Sequence, residues 1–149
     1  MQAIILAAGM GKRLKELTQD RTKCMVQVNG VALIDRMLHQ IESRHLSRIV
    51  IVVGYEGEKL MKYIDTLGIR TPIVYVQNPI YDKTNNISSA ALACSHFQNA
   101  YVFESDLLLE NPALVSAFQY ESNYLAIPVD RTDDWCFDVD DEGAIVHIG

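Results

Sequence analysis

No apolar run in this chain comes near the ~20 residues that a bilayer crossing needs. Residues 3–8 are apolar, but no basic stretch precedes them and the run is too short for a secretion signal. Cysteine is scarce: Cys24, Cys94 and Cys136 are odd in number, widely spaced and form no C-x-x-C. That argues against a disulfide framework or a thiolate zinc site, and for reduced thiols in a cytoplasmic protein. The four histidines include no H-x-x-x-H pair, the usual sign of a helical metal site. Basic runs are missing and the net charge is −6, so nucleic acid is a poor candidate partner. Neither a membrane nor a nucleic acid is therefore expected as a partner.

What is present is enough hydrophobic material, 49% of 149 residues, for one domain with a real core spanning residues 1–149. Apolar strands alternate with helical stripes. Strands are expected at residues 3–8, 48–53, 73–76, 101–103 and 124–128. Leu33, Ile34, Met37, Leu38 and Ile41 mark one helix, and Leu60, Met61, Ile64 and Leu67 a second that ends at Gly68. Further helices are expected at 88–97 and, capped by Asn111-Pro112, through Phe118. Residues 136–139 and 144–148 flank Asp141-Glu142-Gly143 as a hairpin. Such alternation predicts an α/β, Rossmann-like, mostly parallel sheet with helices on both faces. Ligands then bind at the carboxyl ends of the strands, where Gly9, Asn78 and Asp106 fall.

Charge is unevenly placed. Residues 1–100 hold 12 Lys and Arg against 8 Asp and Glu; residues 101–149 hold 1 against 11. A basic early part facing acidic late residues suits phosphates on one side and a cation on the other. Most acids between Asp133 and Glu142 read more simply as solvated loop residues.

The densest signal follows the first strand. Leu6, Ala7 and Ala8 run into Gly9-Met10-Gly11-Lys12-Arg13, with Lys23 ten residues after Arg13. Glycines let backbone N–H groups approach an anion. Arg13 offers a planar fork to phosphate oxygens, and Lys23 a mobile point charge. Two known glycine motifs do not fit. A Walker A loop needs four residues between its glycines and then Gly-Lys-Ser/Thr. The dinucleotide fingerprint needs a third glycine where Leu14 stands, so an NAD(P) site is disfavoured. A bare glycine pair also serves as simple punctuation; the strand before it and the two spaced cations favour a polyphosphate grip.

Two other groups complete a candidate site. Glu104 and Asp106 follow a strand two residues apart, so an extended chain turns them the same way. Hard Mg²⁺ takes such carboxylates together with phosphate oxygens. Asn85, Asn86, Ser88 and Ser89 form a polar cluster ahead of a helix; they read equally as helix caps or as uncharged contacts to a base.

The stretch Leu6-Ala7-Ala8-Gly9-x-Gly11-x-Arg13-Leu14, followed by Thr22-Lys23, resembles the signature of the sugar-phosphate nucleotidyltransferases, with Thr22 in place of the common proline. Residues 23–34 are similar to the bacterial phosphocholine and 2-aminoethylphosphonate cytidylyltransferases. The resemblance implies the nucleotidyltransferase fold and Mg²⁺-dependent transfer of CMP from CTP to a small phosphorylated acceptor. It implies Arg13, Lys23 and Asp106 as catalytic residues, with Asp106 the metal ligand. Leu6, Ala8, Gly9, Met10, Gly11, Lys12, Asn86, Ser88 and Ser89 are implied at the nucleotide. Trp135, with Asp133 or Asp134 nearby, is implied at a choline-like cation through its aromatic face, and Arg131 at the acceptor's phosphoryl group. Members of that family are longer and carry a second metal-binding aspartate, so the sequence reads as C-terminally truncated. A sugar-1-phosphate acceptor, or a regulatory module that binds nucleotide without turnover, are the competing readings.

Overall fold

The computed structural model describes residues 1–126, 128–132 and 136–148. These form two compact units, Met1–Gln119 and Tyr120–Gly149.

The first unit is built on a four-stranded, all-parallel sheet of β1 (Gln2–Ala7), β4 (Ile49–Val53), β5 (Ile73–Gln77) and β6 (Ala100–Glu104), in the order β5-β4-β1-β6. β1 and β4 are buried throughout and, apart from Gln2 at the start of β1, apolar, as strands covered on both faces must be. Alternate residues go to opposite sides. Ala3, Ile5, Ala7, Ile49, Ile51 and Val53 join one core cluster. Ile4, Leu6, Ala8, Val50 and Val52 join the other. The first cluster is closed by α1 (Leu33–Ser43) through Ile34, Met37, Leu38 and Ile41, and by α2 (Gly57–Asp65) through Leu60 and Ile64. The spacing of three and four puts each set on one stripe of its helix. The second cluster is capped by Ala93 at the end of α3 (Asn86–Leu92). The expected parallel sheet with helices on both faces is therefore present.

At the amino ends of the strands, the buried Gln2 carboxamide ties the sheet together. Its oxygen accepts from Arg48 Nε and Nη2 at 2.9 and 2.7 Å, and its nitrogen donates to the carbonyls of His96 and Gln98. That end of the sheet is sealed by structural hydrogen bonds.

Two local expectations are corrected. Asn111 does cap a turn, its side chain accepting from the Ala113 N–H at 3.0 Å, but the helix stops after Pro112–Leu114. Val115 is drawn into the core and its carbonyl accepts from Arg44 Nε at 2.6 Å, which ends the helical ladder. The described residues of 124–128 form no strand: Tyr124 and Leu125 are exposed, and β-formers without a neighbouring strand do not hold that conformation. The segment after the glycine loop has a defined local structure. It forms tight 3₁₀ turns over Lys12–Thr18, broken at Lys15 (φ 46°, ψ −112°). A short hairpin, β2 (Gln27–Val28) with β3 (Val31–Ala32), turns at Asn29-Gly30 with φ of +52° and +77°, the pair of positive values that a two-residue hairpin demands.

The second unit carries the expected hairpin, β7 (Phe137–Val139) with β8 (Ile145–Ile148). Asp140 Oδ1 accepts from the N–H groups of Glu142 and Ala144 and shapes its turn. Tyr124 packs edge-on to Phe137, with ring centroids 5.4 Å apart.

Candidate functional site

β1 and β6 are parallel neighbours, with Leu6 in register with Glu104. The loop leaving β1 and the acidic segment leaving β6 therefore emerge side by side, at the carboxyl end of the sheet. Leu6 and Ala8 are buried and fix the root of the loop; Gly9, Met10 and Gly11 are partly exposed, and Lys12 and Arg13 exposed.

Gly11 has φ +63°, and a Cβ there would sit 3.1 Å from both Lys23 Cβ and Thr18 Cγ2. The glycine thus lets the stem of Lys23 lie against the loop. Thr18 staples the same turn, its hydroxyl donating to the Gly11 carbonyl at 3.0 Å. Gly9 differs: it has ordinary φ, and a Cβ there would meet nothing within 4 Å. Its lack of a side chain keeps space open in front of the loop.

A residue not singled out from the sequence holds this loop from behind. Gly54 follows β4, and a Cβ there would lie 2.8 Å from the Ala8 carbonyl oxygen and from Tyr81. Only glycine allows that approach. The adjacent Tyr55 N–H donates to Ala8 O at 3.0 Å and its hydroxyl to Gln19 O at 2.7 Å, while Lys59 Nζ donates to Asp20 O at 3.0 Å. A glycine directly after a buried strand was the available sequence signal.

Lys23 reaches across the cleft from the turn Lys23–Met25. Its Nζ lies 3.1 Å from Asp106 Oδ2, the lysine side chain mostly buried and the aspartate half exposed. Ser105 between the two acids is fully buried. Withdrawal from water raises the Glu104 carboxyl above the ordinary glutamate value. Lys23 pulls it back, Asp106 pushes it further up, and a hydrogen bond from Asn86 Nδ2 to Glu104 Oε1, 2.7 Å long, lowers it. Lys23, Glu104 and Asp106 are thus one electrostatic group. Arg13 makes no ion pair among the described residues and stands exposed on the loop.

Ser88 and Ser89 are brought close but turned inward. Both hydroxyls accept from Asn78 Nδ2, at 2.9 and 3.0 Å, and Asn78 Oδ1 accepts from the Ile80 N–H at 3.0 Å. All three residues are buried. Asn85 caps α3 by accepting from the Ile87 N–H, leaving Asn86 exposed at the helix start. Of the acceptor candidates, Arg131 is exposed in the second unit, and Trp135, Asp133 and Asp134 lie outside the described residues.

Cys24 packs behind Lys23, its sulfur 3.0 Å from the Thr22 hydroxyl. Burial pushes its thiol up to about 11, against a lowering from that hydrogen bond. At pH 8 only about one part in a thousand is thiolate. Alkylation of the folded protein at pH 8 should therefore label the exposed Cys94 and Cys136 and spare Cys24, as read by peptide mass spectrometry. Rapid labelling of Cys24 would show that this turn opens readily.

A glycine loop beside a Lys–Asp pair at the carboxyl ends of parallel strands offers backbone N–H groups and a cation, the groups that a phosphorylated ligand requires. The model of the MobA-like NTP transferase domain matches residues 3–134. The chain belongs to that family. Relatives of this NTP transferase chain include the 2-aminoethylphosphonate cytidylyltransferase of Lancefieldella rimae, 35% identical over 99% of this chain and 60% of the relative. The choline-phosphate cytidylyltransferase of Haemophilus influenzae is 28% identical, over 99% of this chain and 62% of the relative. Among solved structures, the CTP:phosphocholine cytidylyltransferase of Streptococcus pneumoniae superposes with a TM-score of 0.86 at 30% identity, over 99% of this chain and 63% of that one. The inositol-1-phosphate CTP transferase of T. maritima gives 0.69 at 28% identity. The NTP transferase chain thus has the nucleotidyltransferase fold and spans about three fifths of the length of these relatives.

Proposed function

We propose that this NTP transferase domain is the nucleotide-holding part of a cytidylyltransferase. It moves CMP from CTP to a small phosphorylated acceptor of the phosphocholine type and releases pyrophosphate. The observation that carries the reading is the Lys23–Asp106 pair set 3.1 Å apart at the mouth of an open glycine loop. The cytidylyltransferase relatives support the nucleotide, and the acceptors in their names share a small phosphoryl or phosphonyl group. A nucleotide-binding module without turnover is the second reading.

In this mechanism an acceptor oxygen attacks the α-phosphorus in line and pyrophosphate leaves. A phosphate nucleophile is already ionised near neutral pH, so no general base is required. Catalysis is positioning and charge neutralisation. The loop N–H groups from Gly9 to Lys12 cradle the phosphate tail, Arg13 takes the β- and γ-phosphates, and Lys23 turns from Asp106 to the α-phosphate. Carboxylate oxygens are the donors a hard cation prefers, and the half-exposed Asp106 beside Glu104 fits Mg²⁺. Among the described residues no cluster of three or more potential metal ligands exists; Asp106, with Glu104 beside it, would be this chain's carboxylate contribution to such an ion. Bound there, the ion supplies charge neutralisation on the triphosphate.

The two loop glycines test this. Gly9→Ala should fold and melt like the parent, because its Cβ meets no atom. It should lose most of the thermal stabilisation that CTP with Mg²⁺ confers by mass action. Gly11→Ala should instead destabilise the fold itself by about 1–2 kcal/mol, because alanine at a left-handed φ is strained. Undiminished nucleotide stabilisation of Gly9→Ala would remove the cradle from the proposal.

A further inference from the structure

Both ends of the glycine loop are tied to one residue outside it. At the near end, the Tyr55 N–H donates to the Ala8 carbonyl at 3.0 Å. A trans peptide sets its C=O and N–H on opposite sides. The Gly9 N–H, in the same peptide group, therefore points away from Tyr55. The N–H groups of Gly9, Met10 and Gly11 donate to no other group among the described residues. Successive backbone donors of this kind are what an anion takes.

At the far end, the Tyr55 hydroxyl donates to the Gln19 carbonyl at 2.7 Å. Between those ends lie Gly9, Gly11, Lys12 and Arg13. The span is not relaxed. Lys15 sits at φ 46°, ψ −112°, where a residue with a side chain persists only if its surroundings impose it. Thr18 closes the turn from inside, and Tyr55 with Lys59 holds it from outside. Tyr55 is itself fixed. It follows Gly54 and the buried strand β4, and its ring centroid lies 6.3 Å from that of Tyr81, which packs on the second core cluster.

We propose that Tyr55 is a positioning residue for the polyphosphate grip: its clasp on Ala8 and Gln19 turns the loop donors outward and keeps the stretch bearing Arg13 in its folded turn. The inference rests on the reading of this loop as a nucleotide site. It deepens that reading by naming the residue that sets the loop's shape. The bond to Gln19 lies at the surface, where a hydroxyl contributes little to folding. Its effect falls on the ligand instead, because a loop closed only part of the time binds more weakly in proportion. The loss falls on the outer phosphates, which Arg13 takes, and spares the nucleoside.

The test compares the chain with Tyr55→Phe. Phenylalanine keeps the ring beside Tyr81 and the N–H to Ala8, and removes only the bond to Gln19. The variant should melt within about 3 °C of the parent. By calorimetry with Mg²⁺ it should bind CTP about tenfold more weakly, the factor expected when the closed loop falls to roughly one tenth of the population. CMP should bind as it does to the parent. Without ligand, trypsin should cut several-fold faster after the exposed Lys12, Arg13 and Lys15, as read by peptide mass spectrometry. Parent-like CTP affinity, equal weakening of CTP and CMP, or unchanged cleavage of the loop overturns the inference. If the parent chain binds no CTP, the nucleotide-site reading falls, and the trypsin result still decides whether Tyr55 clasps the loop.

Discussion

Lys23→Ala is expected to slow turnover by a factor on the order of 10²–10³, the usual loss when one preorganised charge at a reacting phosphoryl group is removed. Its effect on folding should be small. The pair it breaks has one half-exposed member, Asp106, and a solvent-screened ion pair contributes no more than about 1 kcal/mol. Asp106→Ala should behave alike, through loss of the metal's carboxylate. The measurement is pyrophosphate release from CTP, Mg²⁺ and phosphocholine, set beside the melting temperature of each variant. Parent-like turnover in either variant removes that residue from the mechanism. Silent turnover in the unmodified chain, with CTP still stabilising the fold, selects the binding-module reading instead.

Asn78→Ala should be the most damaging polar substitution near the cleft. Asn78 is buried, and its amide serves three partners: the hydroxyls of Ser88 and Ser89 and the Ile80 N–H. Alanine fills none of these roles, and each buried group left unsatisfied costs about 1–3 kcal/mol. A net loss of roughly 2–4 kcal/mol is expected after relaxation. In a domain of this size that lowers the melting temperature by roughly 5–15 °C. A calorimetric or dichroism melt within 2 °C or so of the parent, on the same scale, would show that water replaces the amide. Because the knot anchors the start of α3, nucleotide affinity should fall with it.

The contrast between these residues explains what the sequence disclosed. Periodicity placed β1, β4, α1 and α2 because burial on a strand or a helical stripe repeats at a fixed interval. Asp106 was legible as an acid just past a strand and Lys23 as a cation following the glycine loop, and the structure adds that they touch. Ser88 and Ser89 were ambiguous between capping and ligand contact, and only their bonds to Asn78 show both hydroxyls directed inward. Gly54 was silent because its role lies in a contact with Ala8, 46 positions earlier in the chain. The turn at 112–114 stopped early because tertiary pull on Val115 outweighed a good local cap. The Asn29-Gly30 hairpin carries its signal in the dipeptide itself.

The Gln2 network has a consequence for engineering this domain. β1 is about 16 Å long, which separates that bundle of carboxamide and guanidinium bonds from the glycine loop by more than the range over which substitutions interact. Thermostabilising changes made around Gln2 and Arg48 should therefore add arithmetically to changes made around Lys23 and Asp106. The two poles of the sheet can be evolved as separate modules, one tuned for endurance and the other for choice of ligand.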